Sequence, residues 1–462
     1  MNRTGRLLAG LATAAAIAAL TAVAEPALAQ DSQGVTLLRD TEIEGILHQE
    51  ADPIFTAAGL DAKKVNIHLI DDPTLDAETG AGLNIFINTG LITEAQNPNQ
   101  LIGVIAHETG HMAAGDVAHS GAMMHSGLGP MLLGIGLGAL AAAAGAPGAA
   151  AGLVYSGGYF GELNILGYSR EQESRADAAA ATYLENAGDS GQGLVDFFNN
   201  FRYQEVFSDD RKFPYFRTHP LTDERIEALE ARVRAEPHFG AKDSPETIAQ
   251  FEVMKAKLIG FLDAPAYTID AYPETDTSFP ARYARAIAEY KAGDADVAIK
   301  KIDALIAERP TDPFLYELEG QVLFEDGKPK EAEAPYRKSV QLDPNAPLLE
   351  INLAQTLIAE NDPSRLDEAI GELKKAMMDE PENPMGWRLL SEAYDTKGEA
   401  GLARLATAEQ EFSLGQMKDA RIFAMRARVL LKKGTPEWRR ATDIFLASNP
   451  SKDDMKVLGA TG

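Results

Sequence analysis

The chain has 462 residues, 45% of them apolar, enough to build two or three domains with a core in each. Its formal charge is −26, with 69 acidic against 43 basic side chains, so no nucleic-acid partner is expected. It contains no cysteine, so no disulfide can brace it and any metal must be held by histidine and carboxylate.

Residues 1–29 read as a signal peptide. Arg3 and Arg6 precede the apolar run LLAGLATAAAIAALTAVA, and Ala27-Leu28-Ala29 supplies an A-x-A cleavage site. An N-terminal membrane anchor is the alternative. No cysteine follows the cut at Gln30, so a lipid anchor there is excluded.

From 30 to 262 the pattern is that of a mixed domain. Amphipathic spacing over 36–58 predicts a helix, while KVNIHLI (64–70) and GLNIFINTG (82–90) predict strands. Asn97-Pro98 opens a further helix, with Leu101, Val104 and Ile105 at helical spacing, and HETGHMAAGD (107–116) lies on it. Between Val117 and Gly161 there is no charged residue. Its run 127–155 is long enough to span a bilayer but is rich in Gly and Ala and broken by Pro130 and Pro147. It reads either as a membrane span or as a helical hairpin over the site that touches a membrane peripherally. SREQESRADAAAATYLENAG then predicts a helix ended by Gly188.

Residues 263–277 (DAPAYTIDAYPETDT) read as a linker, and 278–448 as repeats. Gly293 recurs at Gly327, Ala298 at Ala332, Tyr290 at Phe324 and Pro310 at Pro344, each 34 residues on; Ala369 and Pro381 continue the series after a loop insertion. That period, with small residues at the crossing and proline at the end, resembles the tetratricopeptide repeat, whose stacked helix pairs form a concave binding surface. Residues 449–462 are left as a tail. The predicted fold class is mostly α: an α+β domain with a small sheet, followed by an all-α repeat solenoid.

Helical spacing puts His107 and His111 one turn apart on one face with Glu108 beside them. In this H-E-x-x-H arrangement two imidazoles hold zinc and the carboxylate is the general base. Alone it could equally be two ordinary histidines, so the deciding residue is a third ligand. Glu173 and Asp177 share one face of the 169–188 helix: Glu173 is the candidate ligand, and Asp177, a turn on, can accept the outer N–H of a metal-bound histidine. Glu171 points elsewhere and is expected to pair with Arg175. His48, His68 and His238 have no partner pattern, and His119 and His125 lie beyond the motif helix.

HETGH at 107–111, preceded by GLNIFINTG and followed by YSREQESRAD (168–177) and THPLTDERI (218–226), resembles the HtpX and CAAX prenyl protease family of zinc metallopeptidases, the gluzincins, over about residues 36–235. One departure is Asp116, where many relatives carry histidine. The resemblance implies one Zn2+ per chain on His107, His111 and Glu173, with Glu108 as base. It also implies that the loop of His219 approaches the zinc, as a fourth ligand in a resting state or as an oxyanion stabiliser. An extended substrate is expected to pair along the strand 82–90. With a signal peptide ahead and repeats behind, the implied function is a periplasmic endopeptidase that degrades misfolded or stalled outer-membrane and envelope proteins. The repeats would dock unfolded clients or outer-membrane assembly machinery. Two alternatives stand beside it: a chaperone or adaptor of that assembly with a latent protease site, and an integral membrane protease that uses 127–155.

Overall fold

The structure, a computed structural model, describes residues 36–80, 82–116, 170–201 and 215–460. The signal peptide, the run 127–155, His119 and His125 lie outside these residues. Among the described residues no helix is long and apolar enough to cross a membrane.

A four-stranded sheet opens the first half: β1 (Leu37–Leu38), β2 (Asn66–Ile70), β3 (Ala77–Gly80) and β4 (Asn84–Asn88), in the order β1-β2-β4-β3. Helix α1 (Thr41–Ala57) connects β1 to β2, and its N-cap Asp40 accepts from the Ile43 N–H at 2.9 Å. β2 runs parallel to β4, in register from Asn66 opposite Asn84 to Ile70 opposite Asn88, and β3 is antiparallel to β4. The strands at 64–70 and 82–90 are where the apolar pattern places them. β3 is an addition: Ala-Glu-Thr-Gly lacks the β-branched run by which a strand announces itself, and it is held by its pairing to β4.

After the short α2 (Thr89–Glu94), the central helix α3 (Pro98–Ala114) is buried along nearly its whole length. Its start follows the sequence rule: Asn97 accepts from the Gln100 N–H, and Pro98 occupies the first turn where no N–H is missed. Gly115 ends it in a left-handed conformation (φ 69°). Against α3 pack α4 (Arg170–Ala187) and α5 (Gln192–Phe201); the single turn α6 (Tyr215–Thr218) brings the Tyr215 ring to His107, and α7 (Asp223–Arg234) packs on α4 and α5. Ile85, Ile87, Val104, Ile105, Leu184 and Phe197 form the core where sheet and helices meet.

Glycine decides how closely these helices approach. A Cβ on Gly110 would sit 3.0 Å from the Ala176 Cα and carbonyl oxygen, so α4 crosses α3 at that point, one residue before His111. Gly103 likewise lies against the backbone of Leu194 in α5.

Helix α8 (Pro245–Leu262) closes the first half, and α9 (Pro265–Ala271) occupies much of the stretch read as a linker. Antiparallel pairs follow: α10 (Phe279–Lys291) with α11 (Ala295–Glu308), α12 (Pro313–Glu325) with α13 (Pro329–Leu342), α14 (Pro347–Ala359) with α15 (Leu366–Asp379), and α16 (Pro384–Thr396) with α17 (Ala400–Ser413). α18 (Met417–Leu430) and α19 (Pro436–Ala447) continue the stack, and α20 (Lys452–Ala460) occupies what was read as a tail. Gly293, Gly327 and Gly398, at the turns between paired helices, all have positive φ, which is why glycine recurs there. Gly320 lets α12 rest on the ring of Tyr336 in α13.

The two halves meet through the residues that open the first. Lys257 of α8 is buried with its Nζ 2.7 Å from Asp40 Oδ2 and 3.0 Å from Glu42 Oε2, and it faces the Phe314 ring of α12. The Tyr283 hydroxyl of α10 donates to Glu42 Oε2 at 3.1 Å. Arg39 forks onto Glu380 at the end of α15.

Candidate metal centre

Four side chains from three elements converge. His107 and His111 come from α3, Glu173 from the first turn of α4 and His219 from the residue after α6; all are buried, and one ligand atom from each can be chosen so that all lie within 4.8 Å of one another. His111 Nε2 is 3.2 Å from His107 Nε2, which is 3.3 Å from His219 Nδ1. Glu173 Oε1 lies 3.4 Å from His111 Nε2 and 3.3 Å from His219 Nδ1. Glu108, one residue along α3, has Oε1 3.4 Å from His219 Nε2.

The donor chemistry suits a cation. An imidazole nitrogen offers either a lone pair or an N–H, so three of them cannot all satisfy one another at a single point. A tetrahedral zinc with bonds of about 2.0–2.1 Å sets its donors about 3.3 Å apart, and the observed spacings are of that size.

A ring of charges holds the donors. His107 Nδ1 lies 3.0 Å from Asp177 Oδ1, where sequence spacing expects that carboxylate. Arg225 of α7 grips the same carboxylate with two bonds of 2.8 Å, places Nη1 2.8 Å from Glu173 Oε2 and donates to the Pro220 carbonyl at 2.7 Å. His111 Nδ1 is bonded at 3.0 Å to Asp116 Oδ2. Arg175, expected to pair with Glu171, instead donates to Asp116 Oδ1 at 2.9 Å, because the close crossing at Gly110 brings the first turns of α4 over the end of α3.

Burial and these partners set the local ionisation. Burial alone would depress His107, but Asp177 and Glu173 push it up to about 9. At His219 burial outweighs the pull of Glu173, and the pKa falls to about 4. Burial lifts Glu108 well above the usual carboxylate range, whereas the three imidazoles hold Glu173 below it against its own burial.

Two further outcomes differ from the sequence reading. The strand 82–90 has no free edge: β4 is paired to β2 on one side and β3 on the other, so the outer strand beside α3 is β3. Arg225 and Asp116 were missed as parts of the site. Both stood inside quoted motifs: Arg225 meets Asp177 48 residues away, and Asp116 reaches back five residues to His111 only through the left-handed turn at Gly115. His68, without a partner pattern, bonds Asn84 on the sheet, and His48 and His238 pair with Asp52 and Glu185 away from the metal centre.

Comparison with known proteins gives the same reading of residues 39–233, which match the model of Peptidase family M48. The β-barrel assembly-enhancing protease of Yersinia pestis is 24% identical over 81% of this chain and 77% of its own length. That of Escherichia coli is 23% identical over 80% and 76%, and a putative one from Vibrio cholerae is 25% identical over 71% and 68%. Residues 39–233 are therefore an M48 peptidase domain, and the chain that carries it is a metallopeptidase, a hydrolase of peptide bonds.

Proposed function

We propose that this protein is an exported, periplasmic zinc-dependent endopeptidase that removes misfolded or stalled outer-membrane and envelope proteins, its repeats docking unfolded clients or the assembly machinery. The observation that carries the reading is the convergence of His107, His111 and Glu173 with Glu108 alongside. The names of the relatives, which tie them to β-barrel assembly, support the choice of client.

In this reading His107, His111 and Glu173 hold one zinc, which when bound lowers the pKa of a water to about 7 and polarises a carbonyl. Glu108 takes the proton of the attacking water and delivers it to the departing amine. Asp177 and Asp116 keep the Nδ1 side of each imidazole occupied, so that Nε2 faces the centre. An extended client pairs its backbone with the outer strand β3, which accounts for tolerance of many side chains.

The test is zinc content and digestion of a misfolded outer-membrane protein by the unchanged protein and by Glu108→Gln. One zinc in both and cleavage only by the first is expected. Cleavage by Glu108→Gln, or no zinc in the unchanged protein, would refute the assignment.

A second reading, an adaptor with a latent site, is favoured by His219, which lies among the ligands and beside Glu108. As a ligand it would take the place that water or a carbonyl oxygen needs.

A further inference from the structure

We propose that Asp116 is a positioning residue of the metal centre, fixing the tautomer and orientation of His111 and held in place by Arg175. The inference rests on the zinc site proposed above.

The backbone brings Asp116 there. Gly115, at φ 69°, turns the chain back at the end of α3, and its N–H bonds the carbonyls of His111 and Met112. The next side chain therefore returns under the last turn of its own helix, and its Oδ2 meets His111 Nδ1 at 3.0 Å. A residue with a Cβ at 115 would be strained at that positive φ, so the Gly-Asp pair acts as a unit.

The environment requires a charge partner. Asp116 is 4% exposed, and a carboxylate so placed is costly unless it is paired. Both oxygens are engaged: Oδ2 with the imidazole and Oδ1 with Arg175 Nη2 at 2.9 Å. An ionised carboxylate only accepts, so the His111 proton is fixed on Nδ1 and the Nε2 lone pair is turned to the cluster, 3.4 Å from Glu173 Oε1.

The arrangement repeats at His107. There Asp177 faces Nδ1 and Arg225 grips Asp177, so each motif histidine is backed by a carboxylate and each carboxylate by an arginine from another helix. The two arms differ in exposure: the Arg225 side chain is 3% exposed and that of Arg175 54%. The Asp116 arm is thus the one in reach of solvent.

Zinc affinity, measured by competition with a chelator, and the visible spectrum of the cobalt(II)-loaded protein test this in Asp116→Ala, Asp116→Asn and Arg175→Ala, beside thermal unfolding of each metal-free form. Asp116→Ala should bind zinc about 10–100-fold more weakly and shift the cobalt bands. Asp116→Asn keeps an acceptor oxygen and should recover part of the loss, and Arg175→Ala should fall between Asn and the unchanged protein. Unaltered affinity and spectrum in Asp116→Ala overturn the proposal. So does an Asn variant as weak as Ala whose metal-free form is destabilised in step, because packing would then explain both. If the unchanged protein takes up no zinc, the zinc reading itself fails, an outcome distinct from equal affinities.

Discussion

Arg225 and Asp177 form a two-pronged pair, Nε to Oδ2 and Nη2 to Oδ1, each at 2.8 Å, inside the wall of the metal centre. The third prong of the same guanidinium reaches Glu173 and the Pro220 carbonyl, so one side chain joins α4 to the loop of His219. Removing it leaves two buried carboxylates without their cation. Arg225→Leu should destabilise the metal-free protein by about 3–5 kcal/mol, read from the urea midpoint. Arg225→Lys should restore only part, because a single ammonium cannot fork.

His219→Ala separates a gate from a catalytic group. If His219 blocks the centre, digestion of an unfolded client should rise several-fold while zinc content stays unchanged. Total loss of digestion with zinc retained would instead make His219 a participant in the chemistry.

Gly110 sets the distance between the helix of the histidines and the helix of the glutamate. A leucine there must push α4 away, since the nearest neighbours are backbone atoms of Ala176 rather than a movable side-chain tip. Gly110→Leu should cost about 1–3 kcal/mol and lower zinc affinity, because Glu173 travels with α4. Unfolding and zinc titration on one preparation check both.

The junction between the halves should carry a pH signature. Glu317 of α12 accepts from Asn352, and burial pushes it up to about 7 despite Lys257, with Asp40 and Glu42 adding to the rise. A carboxyl whose pKa is raised on folding holds its proton more tightly in the folded state. Its contribution is complete below about 4.3 and is lost as pH climbs through about 7. Stability measured across that window should fall with rising pH, and Glu317→Gln should flatten the slope.

How much of this was legible follows from the range of each interaction. His107, Glu108 and His111 lie within one helical turn or so, and the 34-residue period repeats the same turn glycines, so local spacing reveals them. Glu173 was readable because its helix carries few other carboxylates on that face. Arg225 was not, since it becomes part of the site only when α4 and α7 are packed, and Asp116 was not, since its return to His111 depends on the left-handed turn at Gly115. β3 was hidden for a related reason: its four residues are a strand by virtue of β4.

Glu42 and Arg39 serve the sheet and first helix on one side and the repeats on the other, and Asp40 joins them through Lys257. A cut at the 263–277 stretch would strip Lys257 of its cover by Phe314 and Glu42 of its tyrosine. Sequence composition divides the chain there, but cooperativity does not: peptidase and repeats should melt in a single transition. The repeats are then as much a part of the peptidase's folding unit as its own sheet.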